Sequence, residues 1–309
     1  MPAGAYNSAA PLSCICGGMA GRHLQGLGAR VIETSPAQGH KTGNRLRGSR
    51  EAVAQGESQR HGKDEVSGAM NISVVIPVKN EKENVIPLLR EITAAFGARA
   101  DYEIIFVDDG STDTTPNVLR AEKPAHPKLR LICHERNSGQ SAAIRTGVLA
   151  ARGRLIVTLD GDGQNDPADI PAVLAPLEAA NAPPNLAMAA GQRRKRQDSM
   201  LKRVASSVAN GVRQRMLNDG MRDTGCGLKA FTREGFLRLP YFDHMHRFLP
   251  ALMLREGYLV ARVDVGHRPR RYGRSKYGVF DRLLVSFSDL MGVMWLKRRC
   301  RLPGTRNEL

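Results

Sequence analysis

Residues 155–167 read LIVTLDGDGQNDP, and this stretch decides the fold class. The run from Leu155 to Leu159 is short and mainly apolar, which is typical of a buried β-strand. It ends on Asp160 and Asp162, so both acids would stand just beyond the carboxyl end of the strand. Open α/β sheets bind their ligands at that position, and we therefore expect the chemistry at this edge.

The same unit of strand, polar turn and helix occurs earlier in the chain. Its polar turns contain Asn80 and Glu81, then Asp108 and Asp109, then residues 137–139. Strands that alternate with helices are typical of a parallel sheet with crossover helices. We predict one α/β domain, with a mostly parallel sheet and flanking helices. The predicted strands are residues 72–77, 102–107, 129–134 and 155–159, and the predicted helices are residues 85–96, 112–120 and 138–151.

The two ends of the chain differ from this domain. Residues 1–69 show no sustained helical or strand period, so they cannot bury enough apolar surface to offset the entropy of ordering. We expect a disordered N-terminal extension, and a second hypothesis is that Met70 is the natural start. The domain is predicted over residues 70–277, with a basic segment (192–203), a helix (204–217), a loop (218–227) and a mixed region up to 265. An amphipathic helix (278–301) and a tail (302–309) follow.

Composition limits the partners and the compartment. The formal net charge of +16 favours an anionic partner, which is a phosphate, a membrane surface or a nucleic acid. The basic clusters at 193–196 and 202–203 lack interleaved aromatic residues that would stack on bases, so we expect no nucleic-acid partner. The five cysteines form neither a regular disulfide framework nor a pair of zinc-binding knuckles. We therefore expect a reducing compartment and no structural zinc.

The acids after the fourth predicted strand indicate a divalent metal. Asp160 and Asp162 are spaced by one small residue, and carboxylate oxygens suit hard cations such as Mg²⁺ or Mn²⁺. A metal held there can neutralise a diphosphate leaving group. Such a triplet alone is a weak signal, because two aspartates in a surface turn occur by chance. Its position directly after a strand makes it stronger.

The other strand ends offer further polar groups. Asp108 and Asp109 could accept hydrogen bonds from a nucleobase or ribose, and the alternative is that Asp109 and Ser111 cap the next helix. Residues 137–139 precede a helix, so their backbone amides could face an anion. The sequence has no Gly-x-Gly-x-x-Gly and no Gly-x-x-x-x-Gly-Lys, which argues against dinucleotide and P-loop sites.

Several ordered motifs together resemble a known family. PVKNE (77–81), DDGSTD (108–113), NSGQ (137–140) and DGDGQNDP (160–167) occur in the order and spacing of family-2 glycosyltransferases with the GT-A fold. DTGCGLK (223–229), HRFLPAL (246–252) and RRYGRSKY (270–277) resemble the polyprenyl-phosphate branch of that family. This branch contains the dolichol-phosphate mannosyltransferases and the bacterial undecaprenyl-phosphate sugar transferases. The resemblance covers residues 71–299.

The resemblance implies a nucleotide-diphosphate-sugar donor, a polyprenyl phosphate acceptor and inversion at the anomeric carbon. It implies that Asp160, Asp162 and Gln164 hold Mg²⁺ or Mn²⁺. It implies a catalytic role for Asp162, Arg270 and Lys276. For residues 193–196 the alternative is a solvated charge run. The remaining residues implied in binding the donor or the phosphates are Pro77, Asn80, Glu81, Asp108, Asp109, Asn137, Gly139, Asp160, Arg193, Arg203, Ser206 and Ser275.

The acceptor determines the expected mechanism. A phosphate oxyanion is already a nucleophile at neutral pH, so no general base is needed. One rival hypothesis is transfer to a glycan hydroxyl, which would need a base, and Asp223 is the attractive residue for that role. A second rival is a non-enzymatic basic protein that binds nucleic acid or acidic lipid. The ordered acids at the strand ends argue against the second rival.

The last predicted helix indicates how the protein meets a membrane. Residues 278–296 are too polar for a span of about 20 apolar residues, because Asp281, Arg282 and Asp289 interrupt them. Helical spacing gathers apolar residues on one face, and Trp295 with residues 297–299 adds an aromatic and basic end. We expect a peripheral protein on the inner, cytoplasmic face of the membrane, with room for a separate small membrane-protein partner. The alternative is a helix packed on the protein's own core. The apolar residues predicted on one face are Phe280, Leu283, Leu284, Phe287, Leu290, Met291 and Met294.

Overall fold

A computed structural model describes residues 31–33, 70–193, 213–270 and 279–301 of the chain. The strands are β1 (Val31–Glu33), β2 (Ile72–Val78), β3 (Tyr102–Asp109), β4 (Leu129–His134), β5 (Leu155–Thr158), β6 (Leu186–Arg193), β7 (Lys229–Thr232) and β8 (Leu259–Val265). The helices are α1 (Val85–Phe96), α2 (Thr115–Glu122), α3 (Gln140–Ala150), α4 (Ile170–Glu178), α5 (Arg233–Leu237), α6 (Leu249–Arg255) and α7 (Val279–Arg299), with 3-10 turns at Pro167–Asp169 and Met245–Arg247. Residues 213–217 are also helical.

The strands form one sheet in the order β1-β8-β6-β7-β5-β2-β3-β4. Neighbouring strands run parallel except at β7, which is antiparallel to both β5 and β6. The prediction of a mostly parallel α/β sheet is therefore confirmed. In β2 the side chains alternate between the two faces of the sheet, since Val74 and Ile76 pack in one apolar cluster and Val75 in the other. Each such side chain contributes about 1.5–3 kcal/mol when it is fully buried.

The amino ends of the strands are held together by a buried acid, Glu103. Its carboxylate accepts hydrogen bonds from Ser73 Oγ (2.7 Å), Arg130 NH1 (2.6 Å) and the backbone N–H of Arg152 (2.7 Å). Burial alone would raise the pKa of Glu103, but these hydrogen bonds outweigh it and the pKa is lowered. This network stabilises the edge of the sheet opposite the acids at 160 and 162, so it has a structural role.

The observed elements differ from the predicted ones in several places. The helices α2 and α3 begin at Thr115 and Gln140, a few residues later than predicted, because the preceding residues form polar turns. The region predicted as mixed contains β7 and β8 of the central sheet. Disorder was predicted for residues 1–69, and this is wrong for residues 31–33, which pair with β8 as an edge strand. The rest of that extension, most of the helix predicted at 204–217 and the whole tail (302–309) lie outside the described residues.

The helix α7 does not present a single apolar face. Leu290 and Val293 are buried against the body of the protein, whereas Phe287, Met291 and Trp295 are exposed. The alternative of a core-packed helix thus holds for one side of α7, and a second apolar stripe remains on the outer side. In the described ranges, no helix has the length and apolar character needed to cross a membrane.

Candidate active site

The turn after β2 is tied to the turn after β3 through Asn80. Asn80 has a left-handed φ of 52°, and its side-chain oxygen accepts the backbone N–H of Thr112 at 2.8 Å. Its own N–H donates to Ser111 Oγ at 2.8 Å. Glu81 is buried and accepts a hydrogen bond from Asn84 Nδ2 at 2.7 Å. These bonds hold the first two polar turns of the sheet edge against each other.

Asp108 and Asp109 order the neighbouring loops. The Asp108 carboxylate accepts hydrogen bonds from the backbone N–H and the hydroxyl of Ser111. Asp109 accepts the N–H groups of Ser138 and Gly139, both at 2.8 Å, and lies 2.8 Å from His134 Nδ1. The alternative, in which Asp109 caps the following helix, is not observed, because Asp109 bridges to the loop after β4.

The third and fourth loops meet at Asp160. Gln140 Nε2 donates to Asp160 Oδ1 at 2.8 Å, and the N–H of Asp160 donates to Asn165 Oδ1 at 3.0 Å. Asp162 accepts the N–H of Gln164 at 3.1 Å. The four predicted polar turns therefore form one continuous hydrogen-bonded rim, as expected from the parallel strands.

The segment 226–229 lies directly against the carboxylate of Asp160. The carbonyl of Gly227 accepts a hydrogen bond from Thr158 Oγ1 at 2.9 Å. A Cβ at position 227 would lie 2.3 Å from Asp160 Oδ2, which is too close for any side chain. Only glycine allows the backbone to pass directly against this carboxylate. Lys229 is buried next to it and donates from Nζ to the carbonyl of Cys226.

Arg193 and Asp223 form a bidentate pair beside these acids. Arg193 NH2 lies 2.9 Å from Asp223 Oδ1, and Nε bonds to Oδ2. Asp223 Oδ1 also accepts the N–H of Gly225 at 3.0 Å. A solvated charge run is therefore the wrong interpretation for Arg193, whose guanidinium is held in a half-buried ion pair.

Residues 266–270 lie along the loop that carries the acids. The N–H of Gly266 donates to Asp169 at 2.7 Å, and the N–H of Arg268 donates to the carbonyl of Gln164 at 2.9 Å. Arg270 NH2 lies 2.5 Å from Asp162 Oδ2. Arg270 thus contacts one of the two predicted metal ligands, which places it nearer the donor acids than the sequence suggested.

Burial and charge shift the pKa values in this cluster. Burial, with the neighbouring Asp162 as the second cause, raises the pKa of Asp160 to about 6. Burial lowers the pKa of Lys229, although Cys226, Asp160 and Asp223 oppose that change. For Arg270, burial would lower the pKa, but the bond to Asp162 raises it overall. The two acids repel each other, and nearby cations partly compensate them.

Asp160 and Asp162 fit a divalent cation by their chemistry. Carboxylate oxygens are hard ligands, and Mg²⁺ in proteins is commonly held by one or two carboxylates together with substrate phosphates. A cation would also offset the burial and the repulsion by Asp162 that together raise the pKa of Asp160. Among the described residues, His, Cys, Asp and Glu side chains form no group of three or more suited to a metal.

The structure brings together most of the predicted site residues. Gly139 and Asp160 lie on the hydrogen-bonded rim, Pro77 packs beside Gly161, and Asn137 is exposed next to them. The sequence did not assign Gln140, Gly227 or Lys229, although all three stand inside the motifs that carried the family resemblance. Arg268 belongs to a run of basic residues between positions 262 and 276, but the sequence assigned it no individual role. Four predicted residues lie outside the described ranges: Arg203, Ser206, Ser275 and Lys276.

Known proteins are similar to this chain in sequence and in fold. Dodecaprenyl-phosphate galacturonate synthase from Rhizobium johnstonii is 36% identical over 243 residues, which are 76% of this chain and 70% of that protein. Undecaprenyl-phosphate 4-deoxy-4-formamido-L-arabinose transferase from Edwardsiella ictaluri is 36% identical over 223 residues, 71% of this chain and 66% of that protein. The chain thus spans about two thirds of the length of these relatives.

Solved structures of glucosyl-3-phosphoglycerate synthase from Mycobacterium tuberculosis have the same fold. The complex with Mn²⁺, UDP and phosphoglyceric acid superposes with a TM-score of 0.57 at 20% identity, covering 76% of this chain and 80% of that one. The complex with Mg²⁺ and UDP gives a TM-score of 0.57, also at 20% identity, with 76% and 81% coverage. Residues 73–239 match the family described as Glycosyl transferase family 2. The chain therefore has the GT-A fold, belongs to glycosyl transferase family 2 and is a glycosyltransferase.

Proposed function

We propose that this glycosyltransferase moves a sugar from a nucleotide-diphosphate-sugar to a polyprenyl phosphate, with inversion at the anomeric carbon, at the inner face of a membrane. The observation that carries the proposal is the pair Asp160 and Asp162, held at the carboxyl edge of the sheet and surrounded by fixed cations. The curated relatives, which are named for transfer to dodecaprenyl or undecaprenyl phosphate, support the acceptor class.

On the donor side, Asp160 and Asp162 would hold Mg²⁺ or Mn²⁺, with Gln164 beside them. When bound, the metal would supply positive charge for the departing nucleoside diphosphate. Gln140 orients Asp160 through its 2.8 Å hydrogen bond. Asp109 keeps the backbone amides of residues 138 and 139 at the rim, where the nucleotide would lie. These residues bind and orient the donor, and none of them needs to transfer a proton.

On the acceptor side, the phosphate oxyanion attacks without a general base. The rival hypothesis of a glycan hydroxyl acceptor needs a base, and Asp223 was the residue suited to it. Asp223 instead binds the guanidinium of Arg193 through both oxygens and also accepts a backbone N–H. An acid engaged in this way is a positioning group, which favours the phosphate acceptor.

The acceptor phosphate would be held by Arg270, with Arg203, Ser206, Ser275 and Lys276. A guanidinium binds phosphate oxygens in a fixed fork, so Arg270 is suited to hold the acceptor in line behind the anomeric carbon. Its contact with Asp162, one of the two acids proposed to hold the metal, supports this role. Two phosphate-bearing substrates must meet at this point, and a cation between them lowers their repulsion.

The acceptor is a lipid, so the enzyme must work at a membrane surface. The exposed stripe on α7, defined here as Phe287, Met291 and Trp295, is apolar and continues into Arg298 and Arg299. Apolar residues at helical spacing followed by basic residues suit the interface of an anionic membrane. We propose that this stripe docks on the inner leaflet, and that a small membrane protein can assist it.

Purified protein with a panel of nucleotide-sugars tests the reaction. Undecaprenyl phosphate, dolichyl phosphate and a glycan with a free hydroxyl serve as parallel acceptors, each with Mg²⁺, with Mn²⁺ and with EDTA. We expect a metal-dependent glycolipid product from at least one donor and a prenyl phosphate. Transfer to the glycan alone would replace the proposed acceptor by a hydroxyl, and transfer that persists in EDTA would contradict the role of the metal.

A further inference from the structure

We infer that Lys229 is a positioning residue for the acid pair Asp160 and Asp162. Its charge favours the binding of a metal ion that carries a diphosphate and disfavours the binding of the bare metal ion. The inference deepens the proposed function and rests on its donor site. Lys229 would act through Asp160, without contact to the sugar or to the reacting atoms.

The place of Lys229 in the sheet makes it a fixed cation. It begins β7, the antiparallel strand between β5 and β6, and it pairs with Thr158 and Ala190. The residue is 5% exposed, and its ammonium donates to the carbonyl of Cys226. A charge buried in a sheet is costly unless opposite charges are near, so a compensating acid is expected close by.

Asp160 is that acid. The backbone of Gly227, between the carbonyl of Cys226 and Lys229, passes directly against the Asp160 carboxylate. Burial raises the pKa of Asp160 and lowers the pKa of Lys229, and the opposite charge of each group partly counteracts the shift of the other. The two groups form no ion pair at contact distance in the way that Arg270 and Asp162 do. Lys229 therefore stabilises the charge on Asp160 without a direct bond to its carboxylate, whose Oδ1 accepts the hydrogen bond from Gln140.

The charges around the site are largely compensated before any ligand binds. Asp162 pairs with Arg270, Asp223 pairs with Arg193, Asp160 lies near Lys229, and Glu81 adds negative charge near Arg270. A bare divalent cation at the acid pair would be repelled by the buried ammonium of Lys229. A metal bound to a nucleoside diphosphate brings net negative charge, which Lys229 attracts. The same buried cation therefore weakens the binding of the bare metal ion and strengthens the binding of the metal with its diphosphate.

This sign difference separates the inference from a purely structural role. If Lys229 only donated a hydrogen bond to the carbonyl of Cys226, its loss would loosen the site and weaken the binding of every ligand. If Lys229 sets the local charge, replacing it by methionine should strengthen the binding of the bare metal ion and weaken the binding of the metal with its diphosphate. Methionine has a similar length and suits a buried position, so the sheet is expected to keep its packing.

The test measures binding, with no turnover, at a pH of about 7.5. Mn²⁺ alone is titrated into wild-type protein and Lys229→Met, and UDP is titrated in the presence of Mn²⁺. We expect Lys229→Met to bind bare Mn²⁺ about tenfold more tightly and Mn²⁺ with UDP about tenfold more weakly, which corresponds to an interaction of about 1.4 kcal/mol with one nearby charge. Lys229→Arg retains the charge and should keep the wild-type order of affinities.

Lys297→Met is the matched control. Lys297 is also a partly buried lysine whose Nζ donates to a backbone carbonyl, that of Leu217, and it lies on α7 away from the acid pair. The variant Lys297→Met should leave the affinities for Mn²⁺ and for UDP with Mn²⁺ unchanged. If Lys229→Met weakens the binding of both ligands, or changes neither affinity, the inference is overturned.

The result also separates this inference from the proposed function. If UDP and Mn²⁺ bind together but Lys229→Met shifts both affinities in the same direction, only the role of Lys229 is wrong. If wild-type protein binds neither UDP nor GDP with Mn²⁺, the proposed donor site is wrong, and the inference fails with it.

Discussion

Removing part of the exposed stripe on α7 should release the protein from anionic membranes. In the double variant Phe287→Ala and Met291→Ala, two side chains that are 60% and 45% exposed lose their apolar bulk. Full burial of such a side chain contributes about 1.5–3 kcal/mol, so the exposed half of each contributes about 1 kcal/mol on entering a membrane. The loss of about 2 kcal/mol corresponds to about thirtyfold weaker partitioning.

The chain provides its own probe for this measurement. Trp295 is the only tryptophan in the sequence, is 60% exposed and lies on the same stripe. Insertion of its ring into the interface should shift its fluorescence to the blue as phosphatidylglycerol vesicles are added. The titration gives a partition coefficient for the wild type and for the double variant, which keeps Trp295. Added salt should weaken the contribution of Arg298 and Arg299, about 1 kcal/mol each.

Leu149→Ala is the matched control for this prediction. Leu149 is 52% exposed but lies on α3, so its loss should leave partitioning unchanged. Equal partitioning of the double variant and the wild type, or an unshifted Trp295 spectrum in both, would show that the stripe does not meet the membrane. An equal loss in Leu149→Ala would show that binding follows general hydrophobicity.

Four further predictions follow from the site and the sheet. Asp162→Ala should lower metal-dependent transfer about a hundredfold or more with an unchanged circular dichroism spectrum, and retained activity would contradict its role as a metal ligand. Arg270→Ala and Lys276→Ala should lower the acceptor-dependent rate about tenfold to a hundredfold with a smaller loss of nucleotide affinity, and equal losses would assign both residues to the donor. Glu103→Gln should lower the free energy of unfolding by about 2 kcal/mol at pH 7. Because the native pKa of Glu103 is lowered from 4.5, its contribution is present above pH 4.5 and is lost as the pH falls through the native pKa, so urea unfolding of the two proteins should converge in acid. A protein starting at Met70 should fold and turn over, since the described part of the deleted segment is one edge strand, and a failure to do either would show that β1 is required.

Local sequence predicted the first half of the fold well. Each early strand is a short apolar run that ends on polar residues, and the strands β2, β4 and β5 begin where the pattern places them. The acids Asp160 and Asp162 were found because a strand end determines their position, whatever the rest of the chain does. The parallel arrangement then required the polar turns to meet at one edge, and the structure places them there.

The later elements could not be predicted in this way, because their positions depend on distant partners. The strand β7 inserts in antiparallel direction between two parallel strands, and no feature of its four residues indicates this. The individual role of Arg268 could not be predicted, since its partners Glu91 and Asp166 are far away in sequence. The division of α7 into an inner and an outer apolar side depends on which residues meet α6, and helical spacing alone does not give it.

The net charge of the protein and the charge of its site have different explanations. The sequence carries a formal charge of +16, which favours an anionic partner without specifying a phosphate, a membrane surface or a nucleic acid. In the site, however, Arg193, Lys229 and Arg270 are each matched by an acid, so this cluster contributes almost nothing to the total. The excess positive charge is therefore contributed by other parts of the sequence. A compensated site favours a charged substrate that brings its own metal, and the net positive charge of the chain favours an anionic membrane as the surface on which the protein works.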